Sequence, residues 1–353
     1  YHLVKRRKRL GMEAPGGGAR RGHERREAFP SLPAHRSAVF ALALLLDLAL
    51  GEPPNPLHPT AWMGRAAAFL EPIGRRLGPR GQLTFGAVVA SLLPAAVALM
   101  ARAILKWATR TPWLRVLCEA ALLKSAFSVR ALLTEGLALR RLLEAGDLEG
   151  ARRRAQTLVS RDTSSLGVAH LVSAGLESLA ENTADAFLAP WLYYVMAGTP
   201  GALAYRAVNT LDAMWGYHGQ YEYLGKAAAR LDDLANLAPA RLAAGLLALA
   251  SGRPLAALAT AMAQHRRTES PNAGWTMAAL AGALDVELEK VGHYRLGRPG
   301  RPLTPALLEE GVSTTLRTAA LGAILVIGLL LAKGEGNCQW RPLPPPEAES
   351  RKA

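Results

Sequence analysis

The chain has 353 residues, half of them apolar and a fifth charged, with a mean hydropathy of +0.10 and a formal net charge of +14. That length allows one large domain or two smaller ones. The low mean hydropathy averages long apolar runs with Arg-rich connections, the segregation of a polytopic membrane protein. The cations line no single element and no aromatic-interleaved basic stripe accompanies them, which argues against nucleic acid as a partner. Two distant cysteines, Cys118 and Cys338, exclude a disulfide framework or a Cys-based zinc site.

Residues 1–36 hold ten Lys or Arg and three Glu, a net +7 that is half of the total charge. With little apolar periodicity they read as a disordered basic extension. The run Ala38–Leu50 follows a basic segment, as a signal peptide would, but Asp47 inside it argues against an h-region. An acid in an apolar run marks a functional position by default. Pro53, Pro54, Pro56 and Pro59 then fix an extended loop that presents His58. Phe85–Leu105 is long enough to span a bilayer, with Pro94 as an expected kink and Trp107 and Trp113 as interfacial anchors. Residues 114–158 alternate apolar positions with Arg and Glu at helical spacing, broken at Gly146-Asp147. They read as two amphipathic helices on the cytoplasmic face.

The central stretch, Ser160–Arg241, carries the chemistry. Asp162, Glu177, Glu181 and Asp185 fall between Arg161 and Arg206 with no Lys or Arg among them, in a strongly basic protein. A helix is expected from a cap at Ser164 or Ser165 to about Ala189, ended by Pro190. In it Ser173, Glu177, Glu181 and Asp185 recur every four residues and form one polar row. Like charges at that spacing repel by about 0.2–0.5 kcal/mol each, so an external cation is implied, and Mg²⁺ with phosphate oxygens suits hard carboxylate ligands. A turn at Gly198-Thr199-Pro200-Gly201 leads to a second helix, in which Asn209 joins Arg206 to Asp212 at three-residue spacing. A third helix brings Lys226, Arg230, Asp232 and Asp233, only one of these aspartates facing a site, and ends at Pro239 before Arg241.

Residues Arg241–Ala263 suit a helical hairpin dipping into the membrane or a pair of core helices. The SPNAG turn, with Ser270, Asn272 and Gly274, starts a small-residue helix whose first amides suit an anion. The last apolar run, Ala319–Ala332, extends back toward Val312 as a span. Residues 334–353 are a Pro-rich tail expected to be disordered. This leaves residues 37–333 as a single helical membrane domain with its site region at 160–241. The fold class is all-α, a polytopic integral membrane protein with amphipathic cytoplasmic helices.

No P-loop, Rossmann glycine motif, HExxH or GxSxG is present. LLLDLALGEPPNPLHPTAWMG, SRDTSSL, ESLAENTADAFLAP, YRAVNTLDAMWGY, ARLDDLANLAPARL, SPNAGW and AGAL, in that order across Ala38–Ala332, together resemble the CobD/CbiB family of cobalamin (vitamin B12) biosynthesis. The resemblance implies an integral-membrane adenosylcobinamide-phosphate synthase, a carbon–nitrogen ligase. Such an enzyme joins the propionate carboxylate of adenosylcobyric acid, a corrinoid, to the amine of (R)-1-amino-2-propanol or its O-phosphate. ATP and Mg²⁺ are implied as the means of activation, with an acyl phosphate as the simplest intermediate. The implied setting is the cytoplasmic membrane, crossed several times, with the site facing the cytoplasm and other enzymes of the pathway as partners beside the lipid bilayer.

On this basis Glu177, Glu181 and Asp185 are expected to bind metal and, with Asp212 or Asp233, to supply the catalytic acids, one as general base toward the amine. Arg161, Arg206, Arg230 and Arg241 are expected on phosphates or corrin carboxylates. Asp162, Asn182, Asn209, Ser270, Asn272 and Gly274 are expected to orient substrate, and Asp47 and His58 to close the site from the other side. Residues 1–36 have no counterpart in the family, and Thr276-Met277 replaces a Pro and an acid common after SPNAGW. An intramembrane prenyltransferase, which needs more widely and regularly spaced acids, fits poorly. A transporter would show two matching halves, and no internal repeat is present.

Overall fold

The computed structural model describes residues 32–108, 111–217 and 219–338. Six helices form the first half: α1 (Leu32–Leu50), α2 (Pro59–Arg75), α3 (Pro79–Ala108), α4 (Pro112–Lys124), α5 (Arg130–Glu144) and α6 (Leu148–Gln156). Then come α7 (Val168–Asn182), a π-helical turn (Thr183–Leu188), α8 (Ala189–Trp215), α9 (Lys226–Ala250), α10 (Pro254–Gln264) and α11 (Ala273–Leu284). An antiparallel hairpin of β1 (Glu287–Lys290) and β2 (Tyr294–Gly297) precedes the long α12 (Ala306–Cys338). The first helix thus begins inside the stretch expected to be disordered, and the last runs into the expected tail; residues 1–31 and 339–353 lie outside the described residues.

Proline sets several starts. Pro59, Pro112 and Pro254 sit in the first helical turn, where a missing amide costs nothing. Three helical stretches, Pro79–Ala108, Lys226–Ala250 and Ala306–Lys333, are long and apolar enough to cross a membrane. At 30 residues the first measures about 45 Å, beyond the ~30 Å of a hydrocarbon core. Only 28% of its apolar window is buried inside the protein, and Leu92, Leu99 and Met100 point outward. The core gathers on Trp191, whose ring meets Phe40, Phe127 and Phe187 at centroid distances of 5.3, 5.6 and 5.1 Å.

Several local expectations are corrected. Residues 112–156 make three helices rather than two, with the break at Gly146-Asp147 as expected and Asp147 capping α6. Neither Ser164 nor Ser165 caps α7; Gly167 precedes it without a side-chain cap. Pro190 does not end the central helix, because the π turn places it in the first turn of α8, where no amide is required. Gly198 does break α8, at φ 71°. Two carbonyls just before the break find cationic donors: Tyr194 O accepts from Arg36 and Val195 O from Lys333. Pro239 does not end α9 either. The carbonyl a proline ring displaces lies four residues back, and here Ala235 O accepts the Tyr193 hydroxyl at 3.2 Å.

An acid-lined candidate site

The polar row of α7 meets α8, α9 and the hairpin around adjoining cavities. The larger, about 490 Å³, is lined by Glu181, Asp185, Asp212, Asp232, Asp233 and Lys290 among others. A second, about 350 Å³, shares Glu181, Asp185, Asp212 and Lys290 and adds Arg161, Glu177, Asn182 and Asn209. Both aspartates of the 232–233 pair line the wall, against the expectation that only one would.

Glu177 differs from its neighbours. Its carboxylate takes both Arg161 nitrogens (2.9 and 3.1 Å), the Ser173 hydroxyl (2.7 Å) and the Tyr294 hydroxyl (2.8 Å). Ser173 in turn accepts the Glu289 amide at 2.8 Å, which fixes the hairpin to α7. With four donors on its carboxylate, Glu177 ties the hairpin and Arg161 to α7. Among the described residues no three His, Cys, Asp or Glu side chains form a ready metal site, and the expected Glu177–Glu181–Asp185 trio is split.

Glu181, Asp185 and Asp212 have no hydrogen-bond or ion-pair partner for their carboxylates among the described residues. Glu181 opens onto the cavity and is exposed there, although protein atoms crowd its carboxylate. Burial first, then the charges of Glu177 and Asp232, pushes it up to about 7, against the pull of Lys290. Burial, then Asp232 and Asp233, pushes Asp212 up to about 7. Burial, then Asp232 and Glu181, raises Asp185 well above the usual carboxylate range, with Arg206 opposing.

Behind this wall runs a chain of hydrogen bonds. Tyr205 donates to Asn236 (2.9 Å), Asn236 and Asn209 both donate to Asp232 (3.0 and 3.2 Å), and Arg206 donates to Asn209 (3.1 Å) and to the Asp185 carbonyl. Arg206 therefore braces the site from behind instead of lining it. Tyr205, Asp232, Asn236, Lys290 and Tyr294 were not singled out as ligand-facing in the sequence. Lys290 and Tyr294 come from the hairpin, whose only signals are the alternation in ELEK and YRLG and a glycine turn at Gly292 (φ 76°).

The other expected residues divide. Arg230 is exposed and 3.8 Å from Asp233. Asp162 turns back on Ser164, and Asn182 on Ser178. The SPNAG turn does not offer its amides to an anion, since the Ser270 hydroxyl accepts from both Asn272 N and Ala273 N. Gly274 is there for packing: a Cβ would lie 2.1 Å from the His265 carbonyl. Asn272 ties α9 to α11 by donating to Asp233 O at 2.7 Å, while Arg241 bonds Asn272 and lies over Trp275. Asp47 and His58 line none of these cavities. They belong to a separate charged cluster on α1, α2 and α4.

A mostly helical chain with three helices of membrane length, one of them (α9) lining an acid-rich cavity, has the character of a helical membrane protein with a polar pocket. The sequence profile of the family described as CobD/Cbib protein matches residues 40–319. The chain is 41% identical over 297 residues to a cobalamin biosynthesis protein CobD of Dehalococcoides mccartyi, covering 83% of this chain and 96% of that one. Probable proteins of the same description from Pyrococcus abyssi and Methanocaldococcus jannaschii are 42% and 38% identical, over 74% and 73% of this chain and 86% and 87% of theirs. No solved structure matches significantly. The chain belongs to the CobD/CbiB family, and its role lies in cobalamin biosynthesis.

Proposed function

We propose that this chain is the amide-forming ligase expected from its sequence. It would join the propionate carboxylate of adenosylcobyric acid to the amine of (R)-1-amino-2-propanol or its O-phosphate, from the cytoplasmic side of a membrane it crosses several times. The carrying observation is the unpartnered pair Glu181 and Asp212, both poised near 7 on one cavity wall. A general base works best with a pKa near the operating pH. The amine arrives as a cation, and a wall of six carboxylates and one lysine attracts it. Glu181 or Asp212 then takes its proton, freeing the nitrogen lone pair for the carbonyl carbon. Lys290, on the same wall, suits the incoming carboxylate.

The donor set also fits Mg²⁺ with ATP. Mg²⁺ takes one or two protein carboxylates and completes its octahedron with water and phosphate oxygens, so a preformed three-ligand site is not required. Asp185 and whichever of Glu181 and Asp212 does not serve as the base would be the ligands this wall offers. Together Mg²⁺ and ATP would supply the activation, turning a carboxylate oxygen into a phosphate leaving group. The cytoplasmic orientation follows from ATP supply and from the Arg-rich α5 and α6, which suit retention on that side.

The test is the reaction itself. Purified protein in nanodiscs should release ADP only when corrinoid and amine are both present, with the amide product identified by mass. Corrinoid-independent ATP hydrolysis, or no product with either amine, would contradict the proposal.

A further inference from the structure

The second charged cluster lines no cavity of the candidate site, yet one chain of contacts joins it to that site. Asp47, fully buried at the end of α1, accepts both the Val129 and Arg130 amides through Oδ2, at 3.0 Å each. Its Oδ1 lies 3.1 Å from the Lys124 ammonium, which also pairs with Glu52 at 2.8 Å, and Glu52 meets His58 at 2.6 Å. Arg130 closes the circuit on the last carbonyls of α1, Leu48 O and Ala49 O. The segment between α4 and α5 is thereby held at both ends.

That segment touches the π turn. Ser128 N donates to Ala186 O at 2.9 Å, and Ala186 directly follows Asp185. Phe127 packs on Trp191, which Phe187 of the π turn also meets. A π turn inside a helix is a strained local form that persists only where its surroundings hold it. We infer that Asp47, through Lys124 and the 125–129 segment, is a positioning residue that fixes the π turn and so the aim of Asp185 into the cavity. This rests on the amide-ligase reading for its assay, but it concerns how one wall of the site is held.

Three features single out this link. Asp47 is fully buried, with Oδ2 committed to two backbone amides and Oδ1 in an ion pair with Lys124 but without a hydrogen bond of its own. The outer members Glu52 and His58 are hydrogen-bonded to each other rather than turned toward a cavity. Against the upward pull of burial, hydrogen bonds from His58 and Lys124 hold Glu52 down at about 2, a charge committed to structure.

The experiment is a double-mutant cycle on amide formation by the full chain in nanodiscs. Asp47→Ala should lower kcat about tenfold or more with KM for corrinoid and amine unchanged, and Asp47→Asn, which keeps one oxygen acceptor, should recover much of it. In an Asp185→Glu background, where the carboxylate is already displaced, Asp47→Asn should cost less than about twofold further. Additive losses, a raised KM with kcat unchanged, or wild-type turnover by Asp47→Ala would each overturn the inference. If Asp47→Ala does not fold, Asp47→Asn and Glu52→Gln carry the same comparison, with thermal midpoints measured alongside. Amide formation by wild type together with additive losses defeats the positioning role alone, whereas no amide from wild type defeats the ligase reading.

Discussion

The charged clusters around Asp47 and around Glu181 are built in opposite ways. Around Asp47, every charge has its partner: Asp47 with two amides and Lys124, Lys124 with Glu52, Glu52 with His58. Around Glu181, the acids face one another across a cavity with Lys290 as the cation on their wall. Paired buried charges specify geometry, whereas unpaired ones carry electrostatic strain that a ligand relieves. The comparison separates residues that hold the fold from residues that act.

The comparison breaks most readily at Glu181. Glu181→Gln should lower kcat/KM by about 100-fold or more, the range of a lost general base, with the yield of folded protein unchanged; an assay at saturating corrinoid checks it. Next in size is Arg161→Ala. It strands Glu177, whose side chain is 4% exposed, and breaking a buried pair from one side costs about 3 kcal/mol or more. The melting midpoint should fall by several degrees and Glu177→Gln in the same chain should restore part of it.

A smaller effect follows from pH. Glu181 and Asp212 rise on folding from 4.5 and 3.8 to about 7. The folded state therefore keeps protons that the unfolded chain has released. Stability is full at about pH 4 and falls as pH rises toward 7, so ligand-free protein should melt progressively lower from pH 4 to pH 7.5. Mg²⁺ should then raise the midpoint more at pH 7.5 than at pH 5. Smallest is Tyr205→Phe, which removes one buried hydrogen bond to Asn236 and should cost about 1 kcal/mol, read as a modest shift in the same melt.

Much of the site was legible in the sequence because acids at four-residue spacing project from one helix face whatever surrounds them. Glu181 and Asp185 reach the cavity for that reason, and Asp212 and Asp233 join them from α8 and α9. What spacing cannot convey is which acids are already satisfied. Glu177 has the same place in the row as Glu181, and Ser173, Arg161 and Tyr294, the last 117 residues away, set it apart. The same limit explains Asp47, whose partners Lys124, Val129 and Arg130 are remote in sequence. Helix ends failed where tertiary donors took over a proline's displaced carbonyl, as Tyr193 does for Ala235. The short hairpin escaped notice because its two four-residue strands lie in a charged, Gly-containing segment that reads as loop, yet it delivers Lys290 to the wall.

The central claim is that the unpaired acids perform the chemistry, and the dependence of kcat/KM on pH tests it most directly. Free enzyme should give a profile that bends near pH 7, where Glu181 and Asp212 lose their protons as a coupled set. A profile without a bend between pH 5 and pH 8 would contradict the account.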